Sequence, residues 1–446
     1  MEAVDRSDDG TVQDVKPAPA GETIFALSSG TVPAAIAIVR VSGPHASAAL
    51  QAVTGKVPPP RRAAYAPLVD AGGELIDRAL LLWMPGPGSA TGEDLAEFHV
   101  HGGRAVVAAL LDRLSELEGL RLALPGEFTR RAFVNGRMDL TAAEGLADLL
   151  AAETAGQHAR AIRMAEGGLG RVIEQWRGTL LDLSARIEAG IEYGESEEDV
   201  GAGVIDIHVP LGALAAEAAQ LLAAPPAERL RDGLRVVIAG PPNSGKSSLA
   251  NALAGRDVAL ATPIAGTTRD IIEAPIRLDG HALLLTDTAG LREDGADTIE
   301  RLGIDRAKQV IADADLILWC GRPEDCPMPE RSLLLFTRAD ERSDSLPESC
   351  LRVSIREART LLMLRRSIAQ VCGKVAGAGD MLALNLRQRA LVQGLKDELT
   401  LAAATSDPVL QAEHLRFCRD ALDRLVGRSG VEEMLDSLFG RFCLGK

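Results

Sequence analysis

Aromatic side chains are scarce: eight Phe, three Trp and two Tyr make up 3% of the 446 residues. Cores must then be built from Ala, Leu, Val and Ile, which the 46% hydrophobic content allows. The six cysteines are scattered without paired spacing, which points to a reducing compartment and away from a zinc site. No run approaches the ~20 apolar residues that a membrane span needs. Positive charge is also short, with 48 Lys and Arg against 63 Asp and Glu, for a net charge of −15. That excludes a protein that wraps nucleic acid over its whole surface, so an RNA substrate would need a local basic patch or a basic partner. Residues 1–21 lack the basic start and apolar run of a signal peptide. They read as a disordered tail on a cytoplasmic protein.

What is present divides by periodicity. The length calls for more than one domain. Over residues 22–136, short apolar runs (Ala34–Val41, Arg78–Met84) alternate with turns and two helical patterns, His45–Thr54 and Gly103–Glu118. This predicts an α+β domain. Strand signals then vanish over 137–232, where Leu140, Ala143, Leu146, Leu149 and Leu150 recur at helical spacing, as do Val172, Trp176, Leu180 and Leu183. Helical patterning returns over 376–446, in Leu384–Ala404, Leu410–Val426 and Val431–Phe439. Neither helical stretch shows strong caps or the length to bury itself alone. Together they predict one helical domain interrupted by an insert at 233–375.

The insert carries the chemistry. Leu234–Ala239 reads as a buried strand, Gly240-Pro-Pro-Asn-Ser-Gly-Lys-Ser247 as a glycine loop, and Ser248–Leu253 as a helix start. That order is a phosphate-binding loop, whose N–H groups and helix N-terminus face an anion. Lys246 would reach the outer phosphates and Ser247 would ligate Mg²⁺. Downstream, Gly266-Thr-Thr-Arg-Asp270 offers Thr268 to Mg²⁺ and the γ-phosphate. His281–Gly290 runs as an apolar strand into Asp287-Thr288-Ala289-Gly290, whose Asp287 would hold Mg²⁺ through water. Ser332–Asp340 ends in Asp340, whose carboxylate can accept two N–H bonds from a guanine edge and would repel adenine's acceptor. Leu351–Ser354 would back the base. In this order, the segments resemble the G domain of the translation-factor-related GTPases. The nucleotide contacts so implied are Asn243, Ser244, Gly245, Lys246, Ser247 and Ser248; Thr262, Pro263, Ile264, Ala265, Gly266, Thr267 and Thr268; Asp287 to Gly290; Thr337, Arg338 and Asp340; and Ser354, Ile355 and Arg356.

Two details narrow the subclass. Leu291 follows Asp-Thr-Ala-Gly, where Ras-like proteins place a water-orienting Gln. The loop also carries Asn243, and Thr262–Thr267 precedes Thr268. In potassium-activated GTPases this arrangement supplies ligands to a monovalent cation, which implies K⁺ contacts from Asn243, Thr262, Ile264 and Thr267. A plain turn residue is the other reading of Asn243. Thr337-Arg338 departs from the usual Asn-Lys pair. Thr337 makes fewer bonds and Arg338 can still stack, so guanine selectivity is expected to persist with weaker affinity.

The resemblance extends to the flanks. Thr91-Gly-Glu-Asp-Leu-Ala-Glu97, His101-Gly-Gly103, Pro125–Arg137, Met138-Asp-Leu140 and the terminal Phe442-Cys-Leu-Gly-Lys446 are similar to the tRNA modification GTPase MnmE (TrmE) family. This implies an N-terminal domain that dimerises and holds 5-formyltetrahydrofolate or a related folate through Arg40, Glu97, Arg137 and Lys446. It implies Glu300 as a residue positioning the attacking water, where the alternative is a helix-terminal carboxylate. It implies a role for Cys443, where the alternative is a packing thiol. It implies a homodimer, tRNA as substrate, and a flavin-dependent partner of the MnmG (GidA) family in a heterotetramer or larger, with FAD only on that partner. The reaction implied is folate-dependent addition at C5 of the wobble uridine. Alternatives are a ribosome-assembly GTPase of the Era/EngA type, or a one-carbon transferase with a regulatory G domain. His99 and His101, without a third ligand, are a weak metal pair.

Overall fold

In the computed structural model, residues 21–193, 207–255, 273–288, 308–341, 350–377 and 382–429 are described, together with 435, 438–440, 442 and 445. The chain divides into two compact units, Met1–Ala143 with Gly430–Lys446, and Glu144–Ser429.

The first unit is built on a six-stranded sheet in the order β3-β4-β5-β2-β1-β6. Its strands are β1 (Thr23–Leu27), β2 (Ile36–Ser42), β3 (Ala64–Val69), β4 (Leu75–Met84), β5 (Leu95–His101) and β6 (Leu120–Leu122). All neighbours are antiparallel except β1 and β6. Alternation decides which face is which. In β2, Ala37, Val39 and Val41 are fully buried while Ile36, Ile38 and Arg40 point the other way. Helices α1 (Ala46–Thr54) and α2 (Arg104–Ser115) close the buried face with Leu50, Leu110 and Leu114 over Phe25, Leu68, Leu81 and Phe98. Helix α3 (Glu127–Val134) sets Phe128 against Ile24 and Ala26 on the opposite face. Near the chain's end Phe439 joins this unit, 6.4 Å from the Phe133 ring, and Gly445 sits against Leu27. Gly445 has φ +91, and a Cβ there would collide with the Leu27 carbonyl, so this position is closed to other residues.

The second unit begins with helices α4 (Leu140–Ala151, whose first residues precede it), α5 (Ala155–Ala165), α6 (Gly168–Tyr193), α7 (His208–Ala223) and α8 (Ala227–Asp232). A second six-stranded sheet follows, ordered β12-β11-β10-β7-β9-β8. It comprises β7 (Leu234–Ala239), β8 (Glu273–Leu278), β9 (His281–Asp287), β10 (Leu316–Trp319), β11 (Ser332–Thr337) and β12 (Leu351–Val353), all parallel except β8. Helices α9 (Lys246–Ala254) and α10 (Ala358–Ala376) accompany it, and α11 (Leu386–Ala404) and α12 (Pro408–Val426) follow. Leu169, Trp176, Leu180 and Leu211, from before the sheet, share one apolar core with Val392, Leu395, Leu415 and Leu422 from after it. A helical domain interrupted by an α/β domain is therefore the architecture. Against the reading of weak caps, α5 and α11 each start with a full capping box, Thr154 with Gln157 and Asn385 with Gln388. The Gln at the third helical position in each hides in an otherwise unremarkable polar stretch.

Candidate nucleotide and ligand sites

The nucleotide site forms where β7 ends. Gly240 turns the chain at φ +147, and a Cβ there would lie 3.0 Å from the Cys320 carbonyl carbon. Asn243 and Gly245 both adopt positive φ, 61° and 88°, which Asn tolerates and Gly accepts freely. Gly245 caps α9 with no side-chain hydrogen bond, and a helix N-terminus is the end that favours an anion. Lys246 is buried at the start of α9, and its Nζ donates to Pro241 O at 2.7 Å. Ser247 beside it is exposed. Asp287 closes β9 and pairs in register with Ile238 of β7, so its largely buried carboxyl stands beside the loop. Thr288 Oγ1 donates to Ile238 O at 2.9 Å and pins that strand end. Ser247 and Asp287, hard oxygen donors at adjacent ends of α9 and β9, suit Mg²⁺. A cavity of about 430 Å³ is lined by Gly240, Asn243, Lys246 and Thr288, and also by Trp319 at the end of β10 and Asp325 from the segment that follows it, neither part of a motif. Burial pushes the Cys320 thiol up to about 12, against the pull of Lys246, so it adds no charge here.

A second cavity, about 280 Å³, lies where β11 ends. Thr337 ends β11 and donates its hydroxyl to Ser244 O at 2.5 Å, tying this loop to the phosphate loop with one short bond. Arg338 stands at φ +55, and its Nε is 3.8 Å from where a Cβ on Gly245 would be. Asp340 sits in the turn beyond the strand, not at the strand end itself. The Ser354 hydroxyl first, with its own backbone N–H and Arg356 adding less, holds its carboxyl below the ordinary value against desolvation. Ser354 Oγ also accepts the Arg356 N–H at 3.1 Å. Thr262 to Thr268, Ala289, Gly290, Leu291, Glu300, Cys443 and Lys446 lie outside the described residues.

In the first unit, Arg40 and Glu97 stand opposite each other on β2 and β5. Arg40 Nη2 donates to Glu97 Oε1 at 2.8 Å, and its guanidinium lies 5.8 Å from the Phe128 ring centre. Arg40 therefore belongs to an interior strand and is no edge charge. Burial raises the Glu97 carboxyl, but the bonds and charge of Arg40, with help from His99, outweigh it and hold the pKa below the ordinary value. Arg137 is exposed, with its Cγ 3.3 Å from where Gly92 would carry a Cβ. His99 and His101 serve separate carboxylates, Glu97 at 3.1 Å and Asp77 at 2.8 Å. Among the described residues no group of three or more His, Cys, Asp or Glu could hold a metal.

Sequence reasoning missed a neighbouring network. Glu127, 4% exposed, accepts from Arg121 Nη2 at 2.7 Å and from Arg131 Nη2 at 3.1 Å. Arg131 Nη1 also donates to Glu93 at 2.9 Å, and Glu93 accepts from Ser42. These ties fix the Thr91–Glu97 segment against α3. The Glu-Phe-Thr-Arg-Arg run over Glu127–Arg131 was its trace in the sequence: an i, i+4 acid–base pair on one helix face. No helix among the described residues is long and apolar enough to cross a membrane.

Comparison with known proteins assigns both flanks. The family model for the N-terminus of the GTP-binding protein TrmE matches residues 23–137, and that for the MnmE helical domain matches 140–443. A tRNA modification GTPase MnmE from Rhizorhabdus wittichii is 52% identical over 437 residues, covering 96% of this chain and 98% of that protein. One of the same description from Novosphingobium aromaticivorans is 48% identical over 437 residues, covering 95% and 100%. These matches run through Gly240–Ser247, Thr337–Asp340 and both flanking domains, which sets aside a ribosome-assembly GTPase. The chain belongs to the MnmE family of tRNA modification GTPases.

Proposed function

We propose that this enzyme hydrolyses GTP with Mg²⁺ and a monovalent cation, preferably K⁺, and that turnover drives tRNA modification. The observation that carries the reading is the phosphate loop: a buried lysine, an uncapped helix start and Asn243 in a left-handed turn line one cavity with Thr288. Asn243 lines the same cavity as Lys246, and its amide oxygen is a ligand type for a cation that would offset charge between the β- and γ-phosphates. Ser247 and Thr268 hold Mg²⁺, Thr262, Ile264 and Thr267 complete the cation shell, and Glu300 positions the attacking water in place of the missing Gln. Asp340 reads guanine, assisted by Ser354.

We further propose that Arg40, Glu97, Arg137 and Lys446 hold a reduced folate in the N-terminal unit. A folate offers carboxylates for cations and a pterin edge for a carboxylate, which is the chemistry of this set. Gly445, lying against Leu27 where β1 pairs with Val39 of β2, supports the terminal residues taking part. The folate supplies the one-carbon unit and a flavoprotein partner of the MnmG family supplies the redox chemistry. With −15 net charge, most of the tRNA surface belongs to that partner. Two chains pair through the N-terminal units, and Cys443 acts near the folate.

The test is GTP hydrolysis by the purified chain in KCl and in NaCl, with Asn243→Ala alongside. Stimulation by K⁺ that Asn243→Ala abolishes is the expected result. Equal rates in both salts would overturn the cation reading.

A further inference from the structure

The base-reading end of the nucleotide site holds a charge arrangement that GTP hydrolysis does not require. Arg356 enters from the loop after β12, and its Nη1 lies 3.2 Å from Asp340 Oδ2 and 3.3 Å from Glu341 Oε1. Its side chain is 71% exposed, while that of Asp340 is 21% exposed. The guanidinium thus reaches from solvent over the rim of the cavity that Thr337, Arg338, Asp340 and Ile355 line. A guanine edge presents N1–H and the 2-amino group, two donors for the two oxygens of one carboxylate. A guanidinium presents the same fork of N–H donors. Guanine and Arg356 therefore seek the same acceptor, and both cannot have both of its oxygens.

We propose that Arg356 is an internal stand-in for guanine on Asp340, which the incoming base displaces onto Glu341, and that this exchange sets how fast and how tightly guanine nucleotides bind. Glu341 makes the exchange nearly balanced, since the displaced guanidinium keeps one carboxylate. Adenine offers an acceptor where guanine offers N1–H, so it cannot replace the bonds that Arg356 gives up. The displacement cost falls on any base that takes this carboxylate, so the exchange lowers absolute affinity while Asp340 itself keeps the discrimination. Thr337, with its single bond to Ser244 O, already leaves the loop less firmly tied than an Asn would. This inference rests on the nucleotide site described above and gives Arg356 an affinity-setting role in it.

The experiment is stopped-flow association and equilibrium binding of fluorescent GDP to the full chain, comparing wild type, Arg356→Ala and Glu341→Ala. Ionic strength is raised with choline chloride at fixed KCl. Arg356→Ala is expected to bind faster and about twofold to fivefold more tightly at low ionic strength, the range of an exposed ion pair. Glu341→Ala is expected to bind more slowly and more weakly, because Arg356 then has Asp340 alone. Both differences shrink as salt screens the pairs. A merely structural loop contact would move both variants the same way. Weaker GDP binding by Arg356→Ala, shifts of one sign in both variants, or no shift in either would overturn the exchange. A wild-type chain that binds no GDP would overturn the nucleotide site itself, and the exchange with it.

Discussion

The two sheets place chemistry differently. In the parallel sheet, β7, β9 and β11 are largely apolar, and the candidate site residues follow their C-terminal ends: the phosphate loop after Ala239, Asp287 at the end of its strand, and Thr337 to Asp340. This is the general rule for open α/β sheets. In the mainly antiparallel sheet, Arg40, Glu97 and His99 sit within strands, on the face opposite the core, and are brought together by register. The first design keeps each functional group in a contiguous segment of sequence. The second splits it across strands 57 residues apart. Loss of a group in the first should remove activity and spare the fold, whereas loss in the second should disturb both.

Substitutions can break that contrast. The largest effect expected is from Lys246→Ala, which should lower GTP turnover by at least about 100-fold while the circular dichroism spectrum and thermal midpoint stay close to wild type. A Lys246→Ala chain that turns over GTP normally would dismiss the phosphate loop as the catalytic element. Next is Glu127→Gln, which leaves Arg121 and Arg131 facing a neutral amide. It should destabilise the N-terminal unit by about 2–4 kcal/mol, read as a lower midpoint in urea, with hydrolysis by the G domain retained.

Thr337→Ala removes one hydrogen bond between loops and should weaken GDP binding about fivefold, equivalent to roughly 1 kcal/mol, with ATP still failing to compete. Equal competition by ATP would refute Asp340 as the base reader. The smallest effect concerns pH. Arg40 holds the Glu97 carboxyl below its ordinary value of 4.5, so the pair's stabilisation is present above that value and is lost as pH falls through the folded-state pKa. Urea midpoints measured from about pH 6 to pH 3 should fall more steeply in wild type than in Arg40→Met, by about 0.5–1 kcal/mol. Parallel slopes would show that the pair is not the titrating element.

The same contrast governs what the sequence discloses. The phosphate loop, Asp287 and Asp340 are legible because each depends on neighbours in the chain, and glycines and Asn243 mark the positive-φ turns. Helical periodicity foretells the core shared by Leu180 and Leu395, since both sit on apolar stripes. By contrast, no local pattern announces that Arg40 faces Glu97, that Glu127 is enclosed by two arginines, or that Asp325 lines the phosphate cavity. Each depends on register or on a loop returning from elsewhere. The capping boxes at Thr154 and Asn385 escape notice for a different reason: a Thr or Asn followed three residues later by Gln recurs often, and only the helix that follows gives it meaning.

Phe439 and Gly445, placed against the N-terminal unit, also bear on how the protein is made. The ribosome releases β1 to β6 early, but the residues that pack on Phe133 and Leu27 emerge only after the whole second unit. Synthesis at roughly 5–20 residues per second leaves the N-terminal sheet waiting tens of seconds for its final pieces. A chain that stops short, or one carrying a bulky residue at Gly445, would keep its nucleotide loop yet leave the N-terminal unit unsealed. The first unit is thus assembled from two stretches separated by the whole of the second, so it cannot be completed until synthesis has passed that second unit.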